Sequence, residues 1–220
     1  MRAIVFDLDG TLIDSAPDIH AASNRLLATE GLPPMTLARV KDFIGKGVPH
    51  LVSCLMAEAE LGNDAGRHAE LVARFTAGYD DAVGLTQPYP GVVAALDLLT
   101  ADGWLLGVCT NKPVGPARSV LSHLGLLEHF GAVLGGDSVP TRKPDPAPLM
   151  ATFAALGATS ALYVGDSEVD AETAANAGLP FALYTLGYRK APVSTLRHAL
   201  SFDDWAILPG QVANLAQRLE

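Results

Sequence analysis

Short, uninterrupted apolar runs recur along the chain, at residues 3–6, 105–109, 132–134, 161–164 and 181–184. Runs of this length, bounded by polar and glycine-containing segments, read as buried strands rather than helices. Between the later runs, residues 113–124, 147–156 and 169–177 carry helical patterns. Strand and helix in alternation imply βαβ units. The predicted fold class is therefore α/β, a Rossmann-like, mostly parallel sheet flanked by helices. One stretch, residues 15–81, breaks the rhythm and offers no convincing strand. Ser15, with Asp18 three positions on, has the form of a helix N-cap, and Ile19, Leu26 and Leu27 supply an apolar face behind it. Further helical patterns cover residues 37–44, 48–61 and 65–82. The expected organisation is an α/β core domain of residues 1–14 and 82–220, with 15–81 inserted after the first strand as a small all-helical cap domain. Gln87-Pro88-Tyr89-Pro90-Gly91 marks the return to the main body.

Composition narrows the class. A chain of 220 residues, 49% hydrophobic and 18% charged, fits a core domain with an insertion and argues against disorder. A net charge of −9 disfavours nucleic acid and anionic membrane surfaces as partners, without excluding a small anionic substrate. Cys54 and Cys109 lie far apart with no CxxC spacing, as in a reduced compartment. The N-terminus runs straight into the first strand, unlike a secretory signal, and no run approaches the roughly 20 apolar residues of a membrane span. The expectation is a cytoplasmic protein, a monomer or homodimer, acting on a small molecule.

The first apolar run opens directly onto Asp7-Leu8-Asp9-Gly10-Thr11. Positions i and i+2 of a strand share a face. Both carboxylates are thus predicted to face one spot at the strand's carboxyl end, where open α/β sheets bind ligands. Close carboxylates repel unless a cation or a shared proton compensates. The pair reads as a metal site, as a nucleophile with an acid/base partner, or as both; the plain alternative is a strand-end turn with solvated side chains. Three more polar clusters fall where later strands should end. Thr110-Asn111-Lys112-Pro113 offers a hydroxyl, an amide and backbone N–H groups to an oxyanion, or an ordinary helix cap. Arg142-Lys143-Pro144-Asp145-Pro146 places a cation just before a helix N-terminus, which the helix dipole opposes, so pairing with acids or phosphate would explain it. Gly165-Asp166-Ser167-Glu168-Val169-Asp170 adds an acid at a strand end and another in the first turn of the next helix, where an anion is favoured anyway. Together these supply the oxygen ligands that a hard cation such as Mg²⁺ takes.

The four clusters, in this order and with the helical insertion after the first, resemble the four motifs of the haloacid dehalogenase superfamily across essentially the whole chain. Asp14-Ser15-Ala16-Pro17-Asp18, Pro88-Tyr89-Pro90-Gly91, Cys109-Thr110-Asn111-Lys112-Pro113 and Arg142-Lys143-Pro144-Asp145-Pro146 are similar to segments of bacterial phosphoglycolate phosphatases. The resemblance implies Asp7 as nucleophile, Asp9 as general acid and base, and Mg²⁺ held by Asp7, the backbone carbonyl of Asp9 and Asp166. It implies Asp170 as a supporting residue, Lys143 as the neutralising cation, and Thr110 with nearby backbone N–H groups, that of Asn111 included, as phosphate ligands. The cap turn Gly45-Lys46-Gly47 would meet the leaving group, with Lys46 either at the carboxylate of a 2-phosphoglycolate substrate or an ordinary solvent-exposed loop lysine. His20, Arg25 and His50 are further cap candidates for that carboxylate, each read first as a surface or packing residue. Gly187-Tyr188-Arg189-Lys190 is placed on the core side of the cleft, and Cys109 is strand filling. Dehalogenases of this type lack an acid at the position of Asp9, since a halide leaves without a proton. A β-phosphoglucomutase-like mutase, a pyrophosphatase or nucleotidase of the same superfamily, and a non-catalytic metabolite-binding protein are the competing readings.

Overall fold

The computed structural model describes residues 1–79 and 84–219. Six parallel strands form the main sheet: β1 (Arg2–Phe6), β4 (Leu105–Cys109), β5 (Ala132–Leu134), β6 (Ser160–Gly165), β7 (Phe181–Tyr184) and β8 (Leu200–Phe202), in the order β5-β4-β1-β6-β7-β8. β1 lies between β4 and β6, bonded to both. The chain leaves β1 towards one edge of the sheet and leaves β6 towards the other, the arrangement that opens a ligand crevice at the strands' carboxyl ends.

Alternation along β1 divides the core. Ile4 and Phe6 pack with Val108, Val164, Tyr184 and Trp205 on one face; Ala3 and Val5 pack with Leu149, Phe153, Tyr163 and Leu183 on the other. The helices covering these faces include α5 (Val92–Ala101), α6 (Val114–His123), α7 (Ala147–Ala155), α8 (Glu168–Ala177) and α9 (Leu208–Leu219). Residues after β1 form α1 (Ala16–Thr29), α2 (Leu37–Lys41), α3 (Val48–Glu58) and α4 (Ala65–Tyr79). Ile19, Leu26 and Leu27 of α1, Leu51, Val52 and Leu55 of α3, and Leu71 and Phe75 of α4 close a third core of their own. Each such buried side chain contributes about 1.5–3 kcal/mol. A two-residue antiparallel pair, β2 (Ile13–Asp14) with β3 (Gln87–Pro88), clamps the exit and return of this helical stretch.

Several expectations change. β8 is a strand the sequence reading passed over, since three residues ahead of Asp203 and Asp204 are too few to show a period. α2 and α3 end earlier than predicted, at Lys41 and Glu58, α3 closing just before Glu60 at φ 55°. The predicted helix end at 82 and the predicted domain boundary at 81/82 lie outside the described residues. Ser15 does not cap α1: its hydroxyl donates instead to Asp9 Oδ1 at 2.6 Å. Asp18 is equally engaged elsewhere, accepting from the Thr86 hydroxyl at 2.6 Å and from the Leu85 and Thr86 amides. Among the described residues, no helix is long and apolar enough to cross a membrane.

Candidate active site

Asp7 follows the last residue of β1 and still pairs with β6, its N–H donating to the Val164 carbonyl at 2.8 Å. It continues the Ala3/Val5 side of the strand, towards α8 and the loop carrying Lys143. Lys143 Nζ lies 2.8 Å from Asp7 Oδ1, 2.7 Å from Asp170 Oδ1 and 2.8 Å from the Tyr163 hydroxyl, all buried. Asp170 Oδ2 accepts from the Ser167 amide and hydroxyl in a capping box at the start of α8. One oxygen of Asp170 thus caps the helix while the other holds the lysine. Asp166, at the end of β6, accepts from the Thr11 hydroxyl at 2.7 Å and from the Tyr188 amide at 2.5 Å. Two glycines permit this: a Cβ on Gly10 would stand 2.6 Å from Asp166 Oδ2, and one on Gly187 2.3 Å from Asp166 Cβ.

Carboxylate oxygens of Asp7, Asp166 and Asp170 lie within 4.8 Å of one another. Burial, then the Asp170 charge, pushes the Asp7 carboxyl up to about 7 against the pull of Lys143. Burial with Asp170 and Asp7 drives Asp166 well above the usual range. Burial also works against an ionised Asp170, but Lys143 and hydrogen bonds from Lys143, Ser167 and Tyr163 hold it below the usual value. Burial opposes charge on Lys143 too, and Asp170 and Asp7 more than offset it. Negative charge thus exceeds positive in a buried, all-oxygen cluster, and a hard divalent cation is the group that fits. Asp170 has five hydrogen-bond donors on its two oxygens. A carboxylate offers about four lone-pair sites, so Asp170 is saturated, and Asp7 and Asp166 are the acids left to ligate.

Asp9 departs from the simple i, i+2 argument. The strand ends at Phe6, and the Leu8 carbonyl accepts from the amides of Thr11, Leu12 and Ile13, so the chain is already turning. The Asp9 carboxylate accepts from the Ser15 hydroxyl at 2.6 Å and from Lys112 Nζ at 3.2 Å, and is not part of the three-carboxylate cluster. Asp7 and Asp9 nevertheless line the same two chambers between the sheet and the helical layer. The inner, of about 40 Å³, also presents Thr110, Lys112 and Tyr79. The outer, of about 190 Å³, presents Asp166, Tyr188, Lys46, His50 and Lys190.

Thr110 is buried beside the inner chamber, its amide donating to the Leu134 carbonyl at 3.1 Å. α6 takes its cap from Asp137, which accepts from the Val114 amide at 2.8 Å, so Thr110 and Asn111 are not the helix cap. The Asn111 side chain is a buckle rather than a ligand: Oδ1 accepts from the Lys143 amide, and Nδ2 donates to the carbonyls of Lys143 and Gly45. A substrate contact from Asn111 is left to its backbone. Gly45 and Gly47 hold φ of 110° and 84°, and a Cβ on Gly47 would come 3.0 Å from the Asn111 carbonyl. Lys46 between them is exposed. His20 and Arg25 bond to the carbonyls of Met35 and Gly78 in the helical layer. Burial pushes the Cys109 thiol up to about 12, consistent with strand filling. Lys112 was missed. Its Nζ meets Asp9 and the Tyr79 hydroxyl, 4.3 Å above the Tyr79 ring. Like Lys143 it is a cation between a strand end and a proline, and the same argument about the helix dipole points to it.

A family model described as haloacid dehalogenase-like hydrolase matches residues 4–184. A phosphoglycolate phosphatase of Cereibacter sphaeroides is 56% identical over 216 residues, 98% of this chain and 99% of that one. Another, of Rhodobacter capsulatus, is 46% identical over 210 residues and 96% of each chain. A crystal structure of a predicted phosphoglycolate phosphatase from Haemophilus somnus superposes with a TM-score of 0.89 at 31% identity, covering 96% of this chain and 98% of that one. With four polar clusters converging on one crevice and a match over most of its length, the chain belongs to the haloacid dehalogenase-like hydrolase family.

Proposed function

We propose that this protein is a Mg²⁺-dependent phosphatase that hydrolyses 2-phosphoglycolate to glycolate and phosphate. The observation that carries the reading is the Asp7 carboxylate, pinned by Lys143 within an acid cluster and opening, beside Asp9, into a chamber roofed by the helical insertion. Residues 15–81 would act as the cap and residues 1–14 with 82–220 as the catalytic core. The names of the relatives at 56% and 46% identity support the choice of substrate.

Asp7 is the nucleophile: an oxygen of its carboxylate forms a bond to phosphorus as the ester P–O bond breaks. Asp9, 3.2 Å from Lys112 and 2.6 Å from the Ser15 hydroxyl, gives its proton to the departing alkoxide. It then takes a proton from water, whose oxygen attacks phosphorus and returns Asp7 as carboxylate with release of phosphate. Lys143 neutralises Asp7 and a phosphoryl oxygen, while Thr110 and backbone N–H groups near Leu8, Asp9 and Asn111 hold the others. Asp7, Asp166 and the Asp9 carbonyl would hold Mg²⁺, with Asp170 orienting Lys143 behind them. When bound, the ion screens the repulsion between an anionic nucleophile and an anionic ester. Gly45-Lys46-Gly47 forms the roof over the leaving group and helps exclude water.

Phosphate release from 2-phosphoglycolate, with and without Mg²⁺, tests this beside sugar phosphates, nucleotides, pyrophosphate and β-glucose 1-phosphate. Asp7→Asn controls for contaminating activity. Mg²⁺-dependent release, greatest with phosphoglycolate and absent in the variant, is the expected result. Greater release from another ester would overturn the substrate, and no release from any would overturn the phosphatase.

A further inference from the structure

The inner chamber is small and chemically one-sided. Its walls away from Asp7 and Asp9 are largely apolar, built from Ile19, Phe43, Val48, Leu51 and Phe75. Among its described lining residues Lys112 is the one cation. An ammonium buried this deeply needs compensating partners. Lys112 Nζ finds them in Asp9 Oδ1 at 3.2 Å and in the hydroxyl and ring face of Tyr79. An ammonium carries three N–H donors, and among the described residues these oxygens take two. Lys112 also lines the chamber, so an anionic group held there lies next to the ammonium.

Its position relative to Asp9 says which group that is. A general acid stands within about 3 Å of the oxygen it protonates. The leaving oxygen therefore lies beside Asp9, and Lys112 touches that same carboxylate. A group attached to the carbon that bears the leaving oxygen comes within reach of the ammonium, and in 2-phosphoglycolate that group is a carboxylate. We propose that Lys112 is the specificity-determining residue, its ammonium receiving the carboxylate of a short hydroxy-acid leaving group while the apolar wall disfavours polyhydroxylated ones. The inference deepens the phosphatase reading and rests on it. Lys46, by contrast, is exposed at the outer chamber, where water screens its charge.

The test compares kcat/KM for 2-phosphoglycolate with that for 2-hydroxyethyl phosphate, which has a similar length and a neutral end. It uses the Mg²⁺-loaded wild type, Lys112→Met and Lys46→Met. A charge-assisted contact predicts a preference of about 10- to 100-fold for the carboxylated ester in the wild type. Lys112→Met should abolish most of that preference, chiefly by raising KM for phosphoglycolate, while Lys46→Met keeps it. Any disturbance of Asp9 lowers turnover of both esters and cancels in the ratio. An equal loss on both would leave Lys112 a positioning partner of Asp9 and overturn the proposal. Loss of preference in Lys46→Met alone would overturn it too. Should Lys112→Met fail to fold, Lys112→Gln, whose amide still donates to Asp9, carries the same comparison. Wild-type enzyme that cleaves neither ester defeats the phosphoglycolate reading together with this inference; cleavage of both with equal kcat/KM defeats this inference alone.

Discussion

Asp170 sits in the first turn of α8, and its two oxygens face different structures. Oδ2 closes the capping box with Ser167, while Oδ1 holds Lys143 2.7 Å away and accepts from Tyr163. Removing its charge leaves Lys143 with Asp7 as the remaining carboxylate and weakens the grip that aims the ammonium. Breaking a buried pair of this kind costs about 3 kcal/mol. Loss of a supporting group behind a metal site costs about 10- to 100-fold in activity or metal affinity. Asp170→Asn is therefore expected to lower both the denaturant midpoint and kcat/KM, the latter by a much smaller factor than Asp7→Asn. Equal losses in the two variants would move Asp170 from support into the chemistry itself. The doubled duty also explains why the sequence left Asp170 ambiguous: an acid in the first helical turn is ordinary, and nothing local says that its other oxygen faces a lysine 27 residues away.

Between elements, the loops at the sheet's carboxyl edge determine how the helical layer meets the site. The Asn111 side chain ties the loop after β4 to the Lys143 backbone and to the Gly45 carbonyl across the cleft. Asn111→Ala leaves three backbone groups without that partner, each costing about 1–3 kcal/mol where it stays unsatisfied. The expected result is a clear drop in melting temperature and a rise in KM, with kcat less affected, read by thermal melts and steady-state kinetics. Gly187→Ala addresses the opposite side. A Cβ there would collide with Asp166, so the loop after β7 must shift and Mg²⁺ affinity, followed by titration calorimetry, should fall about 10-fold or more. The strands behind these loops were legible because each is a bounded apolar run, and three of the five were predicted with the observed ends. Helix ends were less so: Ser15 and Asp18 have the composition of a cap, but longer-range partners, Asp9 and Thr86, take their side chains. Lys112 differs: its place between a strand end and Pro113 carries the same signal as Lys143, even though its partner in α4 is 33 positions earlier.

Across the whole molecule, the hydrophobic cores offset the cost of assembling three buried acids around one lysine, and pH exposes that cost. Burial, then the Asp170 charge, pushes the Asp7 carboxyl up to about 7 in the folded, metal-free protein from 3.8 for a free carboxyl, and Asp166 is raised as well. Between those values the folded state binds a proton that the unfolded chain has released. The stability due to Asp7 is therefore fully present below about pH 3.8 and lost as pH rises through about 7. Asp170, held low, has the opposite sign: its contribution is present above the ordinary carboxyl value and lost in acid. In EDTA the melting temperature should accordingly fall from about pH 5.5 to about pH 8. Mg²⁺, by binding the folded state alone, should raise it more at the higher pH, where the ligands are ionised. Asp7→Asn removes one of the opposing charges and should flatten the decline in EDTA while abolishing turnover, a stability gain at the expense of function. A melting temperature in EDTA that rises over this interval, or an equal decline in Asp7→Asn, would mean that the acid cluster is not where the folded protein stores its repulsion.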